Sequence, residues 1–160
     1  MREPASWTRA VPLVFHDGKM LAMRRRETGR EYFVFVGGHV ETGETVEEAL
    51  VREAEEEASL TVRPLRLVYK TRYVEDNSEY QYWLCEYLSG EPRLAVDSPE
   101  AGRNTNGDQY LPMWLDLPEL PRTLLFSLEI RDWVIEDARK NFEGVYREET
   151  FVFEKLRKSL

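Results

Sequence analysis

The chain has 160 residues, 42% of them hydrophobic and 12% aromatic, and a formal net charge of −8 at pH 7. That is enough apolar material for a single domain over residues 1–160 with its own core, and too much for a disordered chain. The acidic balance speaks against a duplex nucleic-acid partner, which needs a basic face. It does not exclude an anionic small molecule, because a bound metal ion and a few arginines reverse a local field. One cysteine, Cys85, cannot form an internal disulfide, and its aromatic-rich setting points to a packed thiol in a reducing, cytoplasmic environment. No signal-peptide pattern and no apolar run of membrane-spanning length is present, so no membrane partner is expected.

In chain order, Trp7–Phe15 and Met20–Arg25 read as strands joined by a hairpin turn at Asp17-Gly18. A strand over Tyr32–Val36 runs into Gly37-Gly38. Thr45-Val46-Glu47-Glu48 then fits a capping box, with Thr45 as N-cap and Glu48 returning to the Thr45 backbone N–H. The helix that follows carries an apolar stripe of Val46, Leu50, Ala54 and Ala58, with Val51 at its edge. Leu65, Leu67, Tyr69, Thr71 and Tyr73 alternate, as do Tyr80, Tyr82 and Leu84 against Trp83, Cys85 and Tyr87. These predict two long strands around a polar turn at 75–79. Gly90–Gln109 is a long polar loop, Tyr110–Leu115 a short strand, and Phe126–Asn141 a second helix with Ile130, Trp133, Val134 and Ala138 toward the core. The tail Val145–Leu160 alternates at Phe151-Val152-Phe153 and suits an edge strand or a homodimer contact. Strands interleaved with two helices predict an α/β fold with a mixed sheet covered on both faces.

The chemistry concentrates on the first helix. Glu53, Glu56 and Glu57 stand at i, i+3 and i+4, clustered on one side, and Glu53 and Glu57 flank the apolar stripe. Like charges at this spacing destabilise a helix by roughly 0.2–0.5 kcal/mol per pair, and acidic groups in the last turns oppose the helix dipole. Arg52 reaches Glu56 at i+4 but cannot neutralise three glutamates. Local rules that fail together mark a functional site. Hard oxygen donors without Cys or His favour Mg²⁺ or Mn²⁺. A solvated acidic face is the competing reading of the helix taken alone.

Gly38, Glu44, Arg52, Glu53, Glu56 and Glu57 stand at the spacing G-x5-E-x7-R-E-U-x-E-E-x-G-U, with Leu60 as the final aliphatic. The segment Gly38–Leu60 therefore resembles the loop–helix–loop of the Nudix hydrolase superfamily. Three positions depart from the pattern: Ser59 replaces a glycine where a left-handed residue is favoured, Ala54 is smaller than usual, and Val36 stands where proline often precedes the two glycines. All the carboxylates are kept.

The resemblance implies an α/β/α sandwich and Mg²⁺-dependent hydrolysis of a nucleoside diphosphate linked to another moiety. It implies Glu53, Glu56 and Glu57 as metal ligands, with the backbone carbonyl of Gly37 or Gly38 added. One of the glutamates or a loop carboxylate would be the general base, and Arg52 would orient Glu56 and Glu44. Within the 90–109 loop, Asp97 and Glu100 are candidates for a further carboxylate, Glu100 preferred, and Asn104 and Asn106 for reading a base edge. Arg24 and Arg26 share a face of their strand and are candidates for phosphate contact, against the reading of a solvated strand end. His39 is a substrate-contact candidate against that of a turn residue. A modified or ordinary nucleoside triphosphate is the expected substrate. The alternative is a catalytically silent nucleotide-sensing domain, which the intact carboxylates disfavour.

Overall fold

The computed structural model of the protein describes residues 3–94 and 108–152. Asp17 and Gly18 both take positive φ (56° and 75°), as the predicted two-residue hairpin turn requires. They join β1 (Trp7–His16) to β2 (Lys19–Glu27). The order continues with β3 (Arg30–Val34), β4 (Gly38–His39), α1 (Val46–Ala58), β5 (Thr61–Tyr73) and β6 (Ser78–Ser89). After these come β7 (Gln109–Asp116), a 3₁₀ turn (Leu117–Arg122), β8 (Leu125–Phe126), α2 (Leu128–Ala138) and β9 (Arg147–Phe151).

Among the described residues the strands form one mixed sheet in the order β8-β3-β2-β1-β6-β5-β9, with β4 added to β1 and β7 to β2. The β1–β2 hairpin is zipped at Phe15↔Met20 and His16↔Lys19 and then opens. Lys19 and Met20 pair with both β1 and β7, and Met23 to Arg26 pair with both β3 and β7. So β3 lies on the same edge of β2 as β1 does. On the other arm, β4 takes the edge of β1 that β2 has left, at Arg9↔His39 and Ala10↔Gly38. The sheet is thus a fork, and Phe35-Val36-Gly37 crosses between its arms. Gly37 has no room for a side chain there, since a Cβ would lie 2.5 Å from the Ala10 carbonyl oxygen.

Alternation along β1 sends Ala10 and Val14 to one face and Val11 and Leu13 to the other. The first pair joins Leu21, Met23, Leu50, Ala54 and Ala58 beneath α1. The second joins Met20, Ala22, Tyr69, Tyr82, Ile130 and Val134 against α2. The α/β fold with both faces of a mixed sheet covered is therefore as expected. Cys85 is buried in the first cluster, and burial pushes its thiol up to about 12. Among the described residues no helix is long and apolar enough to cross a membrane.

Several boundaries differ from the sequence reading. Phe35 and Val36 leave the strand to cross the fork. Ser78 and Glu79 already belong to β6, with Asn77 in the left-handed region at φ 52°. Leu65 is 56% exposed, because register shifts at Pro64/Arg66 and Leu67/Tyr69 reset the alternation that places Tyr69, Thr71 and Tyr73 inward. The second helix is shorter than 126–141, since Phe126 pairs with Val34 in β8. The tail supplies an edge strand, β9 lying parallel to β5. Phe153 and the residues after it lie outside the described residues.

The α2 face also holds a charge that the sequence reading missed. Asp137 is 1% exposed, accepts a 2.6 Å hydrogen bond from Tyr69 Oη, and receives Arg147 Nε and Nη2 at 2.9 and 2.8 Å. Arg147 also lies over the Trp133 ring, so this group ties β9 and β5 to α2.

Candidate active site

The helix that carries the carboxylates is fixed at both ends. Thr45 takes an extended N-cap conformation and its hydroxyl oxygen accepts from the Glu48 N–H at 3.1 Å. The return half of the box differs from the expected one: the Glu48 carboxylate accepts from the Thr45 hydroxyl, not from its backbone N–H. At the other end Ser59 is left-handed (φ 58°, ψ 30°), and the Leu60 N–H reaches back to the Ala54 carbonyl at 3.1 Å. A non-glycine residue there is strained by roughly 1–2 kcal/mol. The Ser59 hydroxyl offsets part of this by donating to the Arg93 carbonyl at 2.8 Å, a bond glycine lacks. Ala49, Leu50, Ala54 and Ala58 are the buried apolar face, with Val46 and Val51 half-buried beside them.

Glu53 is buried on that same face, only 6% exposed. Its carboxylate lies against Gly38 in β4, so closely that a Cβ at 38 would fall 2.3 Å from Glu53 Oε1. Burial pushes the Glu53 carboxyl up, Arg52 pulls it down, and the Glu56 charge adds to the upward push. Arg52 is the centre of the constellation. Its Nε and Nη2 clasp both oxygens of Glu44 at 2.7 and 2.9 Å, and Nη2 also donates to the His39 carbonyl at 2.9 Å. Its Nη1 is shared by Glu53 at 2.8 Å and Glu56 at 3.1 Å. The Glu41 N–H donates to Glu44 at 3.0 Å, closing the 39–44 loop onto α1. Arg52 holds the Glu44 carboxyl below the usual carboxylate range, against burial.

The NUDIX domain profile matches residues 6–134. The chain belongs to the Nudix hydrolase family. It is 28% identical over 136 residues to the oxidized purine nucleoside triphosphate hydrolase of Danio rerio, covering 84% of this chain and 82% of that one. It is 40% identical over 88 residues to the 8-oxo-dGTP diphosphatase of Escherichia coli K12, covering 52% and 68%. Other curated relatives, named NAD-capped RNA hydrolases, are matched over less than half of their own length. A Nudix hydrolase structure from Nitrosomonas europaea superposes with a TM-score of 0.72 at 15% identity, covering 94% of this chain and 81% of that one, which shows the shared fold. Nudix hydrolases act on pyrophosphate bonds in small nucleotide-like substrates, and this chain is an enzyme of that class.

Within this Nudix box the structure brings together Gly38, Glu44, Arg52, Glu53 and Glu56, with Glu57 half-buried one turn beyond Glu53. Among the described residues, no three acidic, histidine or cysteine side chains gather closely enough to hold a metal ion by themselves. Glu53 and Glu56 instead converge on the Arg52 cation. The donors fit a hard divalent ion in kind, being all oxygen, and one of them is a desolvated carboxylate that a nearby cation would stabilise. Nudix hydrolases generally use divalent metal cations.

The arginines of β2 do not behave alike. Arg26 is exposed and bound to Glu31 through Nε and Nη2, at 3.3 and 2.8 Å. Arg25 lies 3.8 Å from the Tyr110 ring centroid and donates to Glu27 at 3.0 Å. Arg24 is half-buried, and its Nε, like that of Arg25, is buried with no hydrogen-bond partner among the described residues. His39 stacks on Trp7 with ring centroids 4.0 Å apart. Asp97, Glu100, Asn104 and Asn106 lie outside the described residues. Sequence reasoning passed over Arg9, although a charge inside the apolar run of β1 was a visible signal.

Proposed function

We propose that the protein is a Mg²⁺-dependent pyrophosphohydrolase of nucleotide-like diphosphates, with purine nucleoside triphosphates, oxidised ones included, as the first substrate class. Mn²⁺ is the alternative cation. The observation that carries this is the buried Glu53 carboxylate lodged against Gly38 and held by the Arg52–Glu44 clasp. The substrate class is supported by the Danio rerio relative, which is matched along most of both chains.

In this scheme the carboxylates of Glu53, Glu56 and Glu57 and the Gly38 carbonyl hold the cation, with Glu100 as a further donor. When bound, the cation neutralises phosphate oxygens and acidifies a water. Arg52 and Glu44 keep Glu53 and Glu56 oriented, and loss of such supporting bonds typically lowers activity or metal affinity about 10–100-fold. Arg24, whose buried Nε has no partner among the described residues, contacts phosphate, whereas Arg26 would first have to leave Glu31. One of the three helix glutamates, or a carboxylate between β6 and β7, takes the proton of the attacking water as the bridging P–O bond breaks.

We place this activity in a single cytoplasmic domain, a setting that suits the buried Cys85 thiol. No duplex nucleic acid is involved. β9 ends the sheet among the described residues and leaves an edge suited to a homodimer.

The test is a Mg²⁺-dependent hydrolysis screen over nucleoside triphosphates, oxidised nucleotides, dinucleoside polyphosphates, ADP-ribose and nucleotide sugars, with Glu53→Gln beside the wild type. Triphosphate hydrolysis lost in Glu53→Gln supports the proposal. A preference for another substrate group overturns the substrate class, and hydrolysis that survives in Glu53→Gln overturns the site.

A further inference from the structure

Many cations among the described residues are already engaged. Arg52 serves Glu44, Glu53, Glu56 and a carbonyl, and Arg25, Arg26, Arg63, Arg72 and Arg147 each hold a carboxylate. Around Arg52 the balance is negative, since four carboxylates, counting Glu41 at 3.8 Å, share one guanidinium. An anionic polyphosphate approaching α1 therefore meets repulsion that Arg52 cannot relieve.

Arg9 is different. It lies on β1 at the mouth of the fork, opposite His39 in β4 and Tyr80 in β6. Its neighbour Ala10 pairs with Gly38, the residue on which the Glu53 carboxylate rests. Arg9 is half-buried, and among the described residues no carboxylate forms a salt bridge with it. Among the described residues its one close partner is the Tyr80 ring, 5.9 Å from guanidinium carbon to centroid. That is at the outer limit of a useful cation–π contact and repays little of the desolvation of a half-buried cation.

Strand alternation puts Arg9 on the same face as Val11 and Leu13, and Arg24 on the same face as Met20 and Ala22. Both faces belong to the α2-side cluster. Among the described residues each arm of the fork thus carries one arginine on that side that forms no salt bridge, and Phe35 of the crossing segment belongs to the same cluster. We propose that Arg9 is a phosphate-binding residue, supplying from β1 the positive charge for the substrate's polyphosphate that α1 does not provide. This rests on the pyrophosphohydrolase reading and names a residue that the Nudix box does not contain.

The experiment compares wild type, Arg9→Ala, Arg9→Lys and, as an exposed control far along the chain, Arg122→Ala. Kinetics with 8-oxo-dGTP and Mg²⁺ give KM and kcat. Calorimetric binding of inorganic pyrophosphate with Mg²⁺ reports on the phosphate half alone, and inhibition by guanosine on the uncharged half. Arg9→Ala is expected to raise KM and weaken pyrophosphate binding by about ten- to a hundredfold, the value of a charged hydrogen bond. Guanosine inhibition and melting temperature stay as in the wild type, and Arg9→Lys restores part of the loss. Unchanged pyrophosphate binding in Arg9→Ala, or an equal loss for guanosine, overturns the proposal. So does a loss that follows a collapse in melting temperature and is not restored by lysine. A wild type that binds pyrophosphate through Arg9 but hydrolyses no triphosphate leaves Arg9 standing and removes the substrate reading. A wild type that hydrolyses 8-oxo-dGTP with Arg9→Ala indistinguishable does the reverse.

Discussion

Gly38→Ala tests the site at the point where backbone and catalytic side chain touch. The ideal Cβ falls 2.3 Å from Glu53 Oε1, 2.5 Å from Cδ and 2.7 Å from Oε2. Ordinary contacts begin near 3.5 Å, so the carboxylate must retreat by about 1 Å. That movement takes Oε1 away from its 2.8 Å bond to Arg52. Displacements of this size at a reacting centre cost about 100-fold in rate. The backbone itself has no objection, because Gly38 is not in the left-handed region, and Gly→Ala in a compatible conformation stabilises by about 0.4–1 kcal/mol. We therefore expect kcat to fall about 100-fold while the melting temperature moves by no more than a few degrees. Gly18→Ala is the mirror case: open space around the Cβ but φ +75°. It should lose about 1–2 kcal/mol, or about 2–8 °C, with kcat unchanged. Hydrolysis kinetics and thermal melts of the two variants decide the matter. A Gly38→Ala enzyme within about threefold of wild-type kcat, or one whose activity falls only in step with its melting temperature, refutes the claim that Glu53 must rest on a bare α-carbon.

Two further outcomes are expected. Asp137→Asn should destabilise by about 1.5–3 kcal/mol, because the charge-assisted bonds from half-buried Arg147 and from Tyr69 lose their ionised acceptor. Burial pushes the Asp137 carboxyl up, but Arg147 and Tyr69 outweigh it and hold its pKa below the usual 3.8. The stabilisation is therefore complete above about pH 4 and lost as pH falls through the lower folded-state value. Urea melts across that range should show the wild type and Asp137→Asn converging in acid, and a constant gap would dismiss Asp137 as the linked group. Magnesium ion should raise the melting temperature of the wild type by about 5–10 °C at 100 times its Kd. Glu53→Gln should lack that rise while melting no lower than the wild type in the absence of added cation, and an equal rise in both proteins would remove Glu53 from the ligand set.

What the sequence made legible was what local chemistry decides. The Asp17-Gly18 turn, the Thr45 cap and the left-handed position at Ser59 follow from side-chain and φ preferences over a few residues, and the structure has all three. The spacing of Glu53 and Arg52 placed the buried carboxylate correctly because helix periodicity is rigid. The fork was not legible: whether β1 pairs with β2, β4 or β6 at a given residue depends on partners far along the chain. The exposure of Leu65 was hidden for a related reason, since a bulge changes strand parity without leaving a composition signal. Nothing local sets Asp137 apart from the other acids of its helix, and only the approach of Tyr69 and Arg147 from β5 and β9 makes it a buried one. Arg9 was passed over, and its place beside Gly38 depends on β4 folding back beside β1.

The acidic helix itself argues for a missing positive charge. The last turn of α1 holds no basic residue, and Glu56 and Glu57 oppose the helix dipole there at about 0.3–1 kcal/mol each. The Glu53–Glu57 spacing adds about 0.2–0.5 kcal/mol of repulsion. Arg52 relieves the part it touches, but two of its bonds, the shortest among them, go to Glu44 in the loop, so it orders the loop as much as it neutralises the helix. The C-terminus is held by the Ser59 turn and its bond to Arg93 rather than by charge. A helix retained for stability alone would exchange Glu53 for an apolar residue, since its neighbours Ala49, Leu50 and Ala54 are already buried. Keeping a desolvated carboxylate among them makes sense if a cation completes the site, and the arginines on both arms of the fork that form no salt bridge among the described residues make sense if an anion arrives with it.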